Sequence, residues 1–357
     1  MSYLSGKNKT RNPWGVSAAM AAAGVLLSLA SVFLPGFASG YRAYFYLPAA
    51  AAVSSVSGLF PFSLSEVLLA AVILGLLFRI VLCLLGKARI RDAASYAAAA
   101  LSAGFLLYTV FCGVNYRAES FAGQAGLAVR ESSAEELENL CRYLAEQVNL
   151  HAADPGSLVK PSLREQAEEG RRAMEALGEE FPGLEGRYPA PKFPLFSRFF
   201  TVQQVTGIYS PFCVEANCNR EIPGYNMPFT ICHELSHLRG WMREDEANFI
   251  GFLAASRSRD PWFSYSGWLS GWVYAGNALA SADRDAFREI YGTLCARARE
   301  DMRENNLFWE QYDGTYAEAH ERINDTYLKA QGQRDGTKSY GRMVDLMLAY
   351  YREHPVS

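Results

Sequence analysis

The sequence predicts a mainly α protein with a small β-sheet, built as three N-terminal transmembrane helices followed by one extramembrane domain. Three observations carry that prediction. Residues 14–114 hold three long runs with almost no charge, each close to the ~20 apolar residues that cross a hydrocarbon core. Beyond them, amphipathic helical stretches alternate with one proline- and aromatic-rich segment of β-like runs. Two histidines then stand four residues apart in ICHELSHLRGWMREDEANF, residues 231–249. A chain of 357 residues that is 50% hydrophobic suffices for a membrane part and one sizeable domain. A net charge of −3 gives no footprint for nucleic acid, so the lipid bilayer is the first expected partner.

The first span, 14–36, is uncharged. The second, 64–86, carries Arg79, and the third covers 95–116. A cleaved signal peptide accounts for one such run, not three. Lys7, Lys9 and Arg11 precede the first span, and Lys87, Arg89 and Arg91 separate the second from the third; Arg42 is the one basic residue between the first two. The excess of basic residues on cytoplasmic loops places both clusters inside. Residues 1–116 are therefore expected as the membrane domain of a multi-pass cell-membrane protein, and 117–357 as an extracytoplasmic domain. The aromatic, proline-containing loop at 37–63 suggests a helix lying at the outer interface. Seven cysteines without a C-x-x-C give no disulfide framework, with Cys213 and Cys218 a conceivable pair.

In the domain, Ser132 or Ser133 caps a helix reaching His151, with Leu137, Leu140, Cys141 and Leu144 as its apolar stripe. A charged helix covers 162–178, and β-like runs lie at 199–208 and 212–219. A motif helix starts near Pro228. The uncharged stretch 262–280 is rich in Ser and Gly and lies between charged helices, which favours a buried core helix over a fourth span.

Residues four apart share one helical face, so His233 and His237 can reach one metal ion together. Two neutral imidazoles suit Zn2+, and Glu234, one step round, suits the general base that takes a proton from water. A catalytic zinc has three protein ligands and one open position. Gly240 accepts the left-handed conformation that ends a helix, which lets REDEANF fold back. There Glu244 shares a face with Ala247, Asn248 and Gly251, Glu246 shares one with Phe249, Ile250 and Leu253, and Asp245 faces solvent. Glu244 and Glu246 both remain open as the third ligand.

HELSHLRGWMREDEANF resembles the H-E-x-x-H zinc metallopeptidases whose third ligand is a glutamate, the gluzincins. The E-x-x-A-N run formed by Glu244, Ala247 and Asn248 matches some of their membrane-bound branches. The resemblance implies Glu244 as ligand, with Glu246 the alternative, and Asn248 as a group that orients a ligand. The spacing from His237 to Glu244 departs from that family, and the metzincin position falls on Arg243, which cannot bind zinc. A second resemblance covers nearly the whole chain. The three spans, PFSLSE at 61–66, GIYSPFCVEAN at 207–217, the HELSH segment and residues 324–348 are similar to the bacterial membrane proteins grouped as domain of unknown function 3810.

The gluzincin resemblance implies a zincin-like metallopeptidase domain in which the strand before the motif helix binds substrate backbone. Glu215 and Asn217 then contact a peptide. Tyr340, among the late candidates Tyr327, His320 and Tyr340, supplies the oxyanion donor. The expected function is a membrane-anchored zinc metalloendopeptidase acting on extracytoplasmic or membrane-protein substrates. The alternative is a non-enzymatic membrane sensor or scaffold that retains the fold. An intramembrane protease is disfavoured because Arg239, Arg243 and the neighbouring acids are costly inside a span.

Overall fold

The computed structural model describes residues 13–153, 156, 158–331 and 342–354. Lys7, Lys9, Arg11 and Tyr340 lie outside the described residues. The chain is mainly helical, with one two-stranded sheet among the described residues.

Three helices are long and apolar enough to cross a bilayer: α1 (Pro13–Phe33), α4 (Leu64–Leu84) and α5 (Ile90–Phe111). α5 starts at Ile90 rather than 95 because the Asp92 carboxylate accepts from the Arg89 N–H at 3.0 Å and caps the helix there. It stops at Phe111, and Gly113–Arg117 form a tighter 3₁₀ turn. α1 and α4 each pack on α5, while α4 buries none of its own residues, as a lipid-facing helix does.

Between α1 and α4 the chain is helical through α2 (Phe37–Tyr41), a wide π-type turn (Arg42–Tyr46) and α3 (Leu47–Ser57). The segment is helical, as expected. One face carries exposed Tyr44 and Phe45. The other face covers the end of the HELSH helix. Tyr46 donates to the His237 carbonyl at 2.9 Å, and the Arg42 guanidinium lies 4.1 Å from the centre of the Trp241 ring.

After α6 (Phe121–Ala125) come α7 (Ala134–His151) and α8 (Leu163–Glu180). Each opens on a serine that bonds the N–H of a glutamate three residues on, which bonds back. α9 (Ser197–Val202) precedes β1 (Gly207–Ser210) and β2 (Glu215–Cys218). The β-like run at 199–208 is therefore helical in its first half, and the strand proper begins at Gly207. α10 (Asn226–His237) carries the motif and α11 (Glu244–Ser256) returns beside it. α12 (Pro261–Ala282) is the buried core helix expected for 262–280, packed against α7, α10, α11 and then α13 (Arg284–Thr293). α14 (Ala296–Glu310), α15 (Thr315–Ala330) and α16 (Arg342–Glu353) complete the described chain. All seven cysteines are free thiols, Cys213 and Cys218 included. One continuous core runs from Tyr46 through Phe111 and Tyr116 to Tyr350, so residues on both sides of position 116 share it.

The sheet corrects one expectation. β2 pairs antiparallel with β1 on one side and bridges to Lys192 on the other, so β2 is the inner strand and β1 the edge. Glu215 is buried and turned to the membrane helices. Its carboxylate accepts from the Leu64 and Ser65 N–H groups at 3.1 and 3.0 Å and from the Ser65 hydroxyl at 2.7 Å. It thus satisfies the open N–H groups at the start of α4 and complements its positive helix end. Glu215→Ala leaves these donors unsatisfied and is expected to cost about 2–3 kcal/mol of stability. Thermal unfolding in detergent checks it, and Glu215→Gln should recover part of the loss.

Candidate metal centre

α10 forms where NMPFTICHELSH offers an apolar, nearly all-buried helix. Gly240, at φ 81, takes the left-handed conformation that L side chains avoid, and the chain reverses into α11. A Cβ at Gly251 would sit 3.1 Å from the His233 backbone nitrogen, so α11 lies close along α10. This approach delivers Glu244 to the histidines.

The Nε2 atoms of His233 and His237 are 3.2 Å apart, and Glu244 Oε2 is 3.4 Å from His233 Nε2. One donor atom from each of the three residues lies within 4.8 Å of the others. Two nitrogens bonded to one tetrahedral zinc at ~2.0–2.1 Å stand roughly 3.3 Å apart, so the donor set fits. His237 Nδ1 lies 2.6 Å from the Trp241 carbonyl, and donation from Nδ1 leaves Nε2 as the free lone pair facing the cluster. Asn248, on the next turn of α11, is buried, and neither its Nδ2 nor His233 Nδ1 has a hydrogen-bond partner.

The other two acids part from Glu244. Glu246 is buried, and its Oε1 accepts from the Phe121 N–H at 2.9 Å and from Arg243 at 3.0 Å. Asp245, expected in solvent, is half-buried.

Burial pushes the Glu234 carboxyl up to about 8, against the positive charge of His233 and with the negative charge of Glu244. Burial and the His233 charge lower His237 to about 4. Burial opposes ionisation of Glu244, yet the hydrogen bond and charge of His233 outweigh it and hold its carboxyl below the usual range. The same partner raises His233 against its own burial. The two shifts favour a protonated imidazole paired with an ionised carboxylate, at the place where a cation would sit.

Glu234 is buried and its Oε2 has no hydrogen-bond partner. A Cβ at Gly207 would meet Glu234 Oε1 at 2.5 Å, so the side chain fits only because β1 begins with glycine. Both line a cleft of 1210 Å³ that also holds His233, His237 and Glu244. Glu215 and Asn217 do not line it. Asn217 is buried beside Ile208 and Glu215 within the sheet. The cleft instead takes Ile208 and Tyr209 from β1, Tyr327 from α15 and Tyr274 from α12. Burial and the charge of Glu244 raise Tyr274 and keep its hydroxyl protonated. Sequence reasoning missed Tyr274, which sits among core aromatics, and Gly207; the glycine opening GIYS before HELSH was the available signal for the latter.

The fold and site define a helical protein with, among the described residues, three bilayer-length apolar helices and a His–His–Glu cluster of which His237 is buried. The chain belongs to the family described as Protein of unknown function (DUF3810), whose model matches residues 41–348. No curated protein and no solved structure matches it.

Proposed function

We propose that the protein is a membrane-anchored, zinc-dependent metallopeptidase with a zincin-like domain. One observation carries this reading. The three donor atoms within 4.8 Å of one another stand beside a buried carboxylate, Glu234, which has an unpartnered oxygen facing the same cleft. A purely structural metal site has no use for that fourth group.

In this reading His233, His237 and Glu244 hold the ion, and zinc supplies Lewis acidity at neutral pH. Glu234 takes the proton of the attacking water and passes it to the leaving amine, a role for which a raised carboxyl pKa suits it. Substrate backbone adds to the free edge of β1. The Asn219 N–H bonds the Thr206 carbonyl, so alternation turns the backbone groups of Gly207 and Tyr209 away from β2. Tyr274 is the cleft hydroxyl assigned to donate to an oxyanion, since the Tyr327 hydroxyl already donates to Tyr116. The positive-inside pattern supports an extracytoplasmic domain.

A mass-spectrometric peptide library incubated with the detergent-purified protein tests the function. Hydrolysis should vanish with 1,10-phenanthroline and return with added zinc. Hydrolysis that persists in the chelator contradicts the reading.

A further inference from the structure

The hairpin turn between β1 and β2 is not in the open domain. The Phe212 ring stands over Gly104 on α5, where an added Cβ would lie 3.9 Å from it. Gly104 is about 10 Å down the helix from Phe111 at 1.5 Å per residue. On the other side, Glu215, just past the turn, accepts from the Leu64 and Ser65 N–H groups at the start of α4. The turn therefore sits between the start of α4 and the second half of α5.

The surface beside it is apolar and open. Leu59 is 79% exposed, Phe196 67% and Phe199 65%, with Phe60, Phe62 and Leu195 also exposed. Such a cluster is unusual on a surface that meets only water. It is tied to the same end of α4. Glu66 accepts from the Leu195 and Phe196 N–H groups at 3.0 and 2.6 Å, and Lys192 bonds the Phe60 carbonyl. The patch thus adjoins the start of α4, the apolar helix that buries none of its residues. The cleft itself takes Tyr108 from α5, Cys112 just beyond it and Phe212 from the turn.

We infer that the 59–62 and 194–199 loops and the Phe212 turn are seated in the bilayer interface, so that the cleft opens at the membrane surface and takes the membrane-proximal stretch of an anchored polypeptide. The seating is a property of the surface alone; the substrate class rests on the hydrolytic reading above. A chain leaving the bilayer beside Phe212 runs directly along the edge of β1 toward Glu234.

The test separates the two parts. Benzophenone side chains are placed singly at Phe196, Phe199 and Phe212 of the full chain, in vesicles of phosphatidylcholine and phosphatidylglycerol. Leu74, exposed in mid-span, is the positive control and Arg288, exposed on α13, the negative one. Illumination should give phospholipid adducts at the three test sites and at Leu74, and none at Arg288. Adducts at Leu74 alone, or protein cross-links replacing lipid at the test sites, overturn the seating without any activity being read. For the substrate, new N-termini in membranes carrying wild type or Glu234→Gln are compared. Glu234-dependent sites should fall within roughly 15 residues of a span, ~50 Å of extended chain. Sites spread over proteins that have no span overturn the substrate class. A complete lack of Glu234-dependent sites removes the hydrolytic reading together with it, and the lipid adducts still decide the seating.

Discussion

On the proposed function, Glu234→Gln is expected to lower peptide hydrolysis by about 100- to 10,000-fold with zinc still bound, which is the range that general-base help supplies. The substitution is nearly isosteric, so the close fit against Gly207 is kept. It removes the one carboxylate of the cluster that the ligand geometry does not need, since His233, His237 and Glu244 already face one another. The buried site loses an ionisable group whose charged form burial disfavours, so the variant should fold at least as well as the wild type. Turnover of a verified substrate and zinc content are measured on the same preparation. Unchanged turnover contradicts the role of Glu234.

Glu244→Ala is expected to lose stoichiometric zinc, because two histidines alone hold the ion weakly. Glu246→Ala should keep it. The reason lies in where the two carboxylates point. Glu244 Oε2 faces His233, whereas Glu246 pairs with Arg243 and the Phe121 N–H. Removing Glu246 leaves the guanidinium and the amide short of a partner, so that variant loses about 2–3 kcal/mol of stability instead of its metal. Asn248→Ala should fall between them, as groups that orient a ligand cost 10- to 100-fold in affinity. Elemental analysis after dialysis against a weak chelator, alongside thermal unfolding, reads both effects. Zinc lost from Glu246→Ala and kept by Glu244→Ala reverses the assignment.

What the sequence made legible was local. The apolar runs, the serine cap of the helix reaching His151, the His233–His237 spacing and the turn at Gly240 all follow from near neighbours along the chain. What it hid was tertiary. Glu215 reads as a polar strand residue until α4 brings Leu64 and Ser65 to it from 150 residues away. The phenylalanine-rich run at 197–202 has strand-like composition, yet it closes into a helical turn whose Thr201 hydroxyl bonds the Ser197 carbonyl. Tyr274 is one aromatic among many in α12, and only the crossing of that helix over α10 places it near Glu244. Glu246 is engaged by Arg243 and the Phe121 N–H, partners that no spacing argument could weigh.

Zinc-edge X-ray absorption on the purified wild-type protein tests the central claim most directly. The account predicts one zinc per chain with two imidazole nitrogens at ~2.0–2.1 Å, oxygen neighbours at ~2.0–2.2 Å and no sulfur. A sulfur shell near ~2.3 Å, or a protein that takes up no zinc, contradicts it.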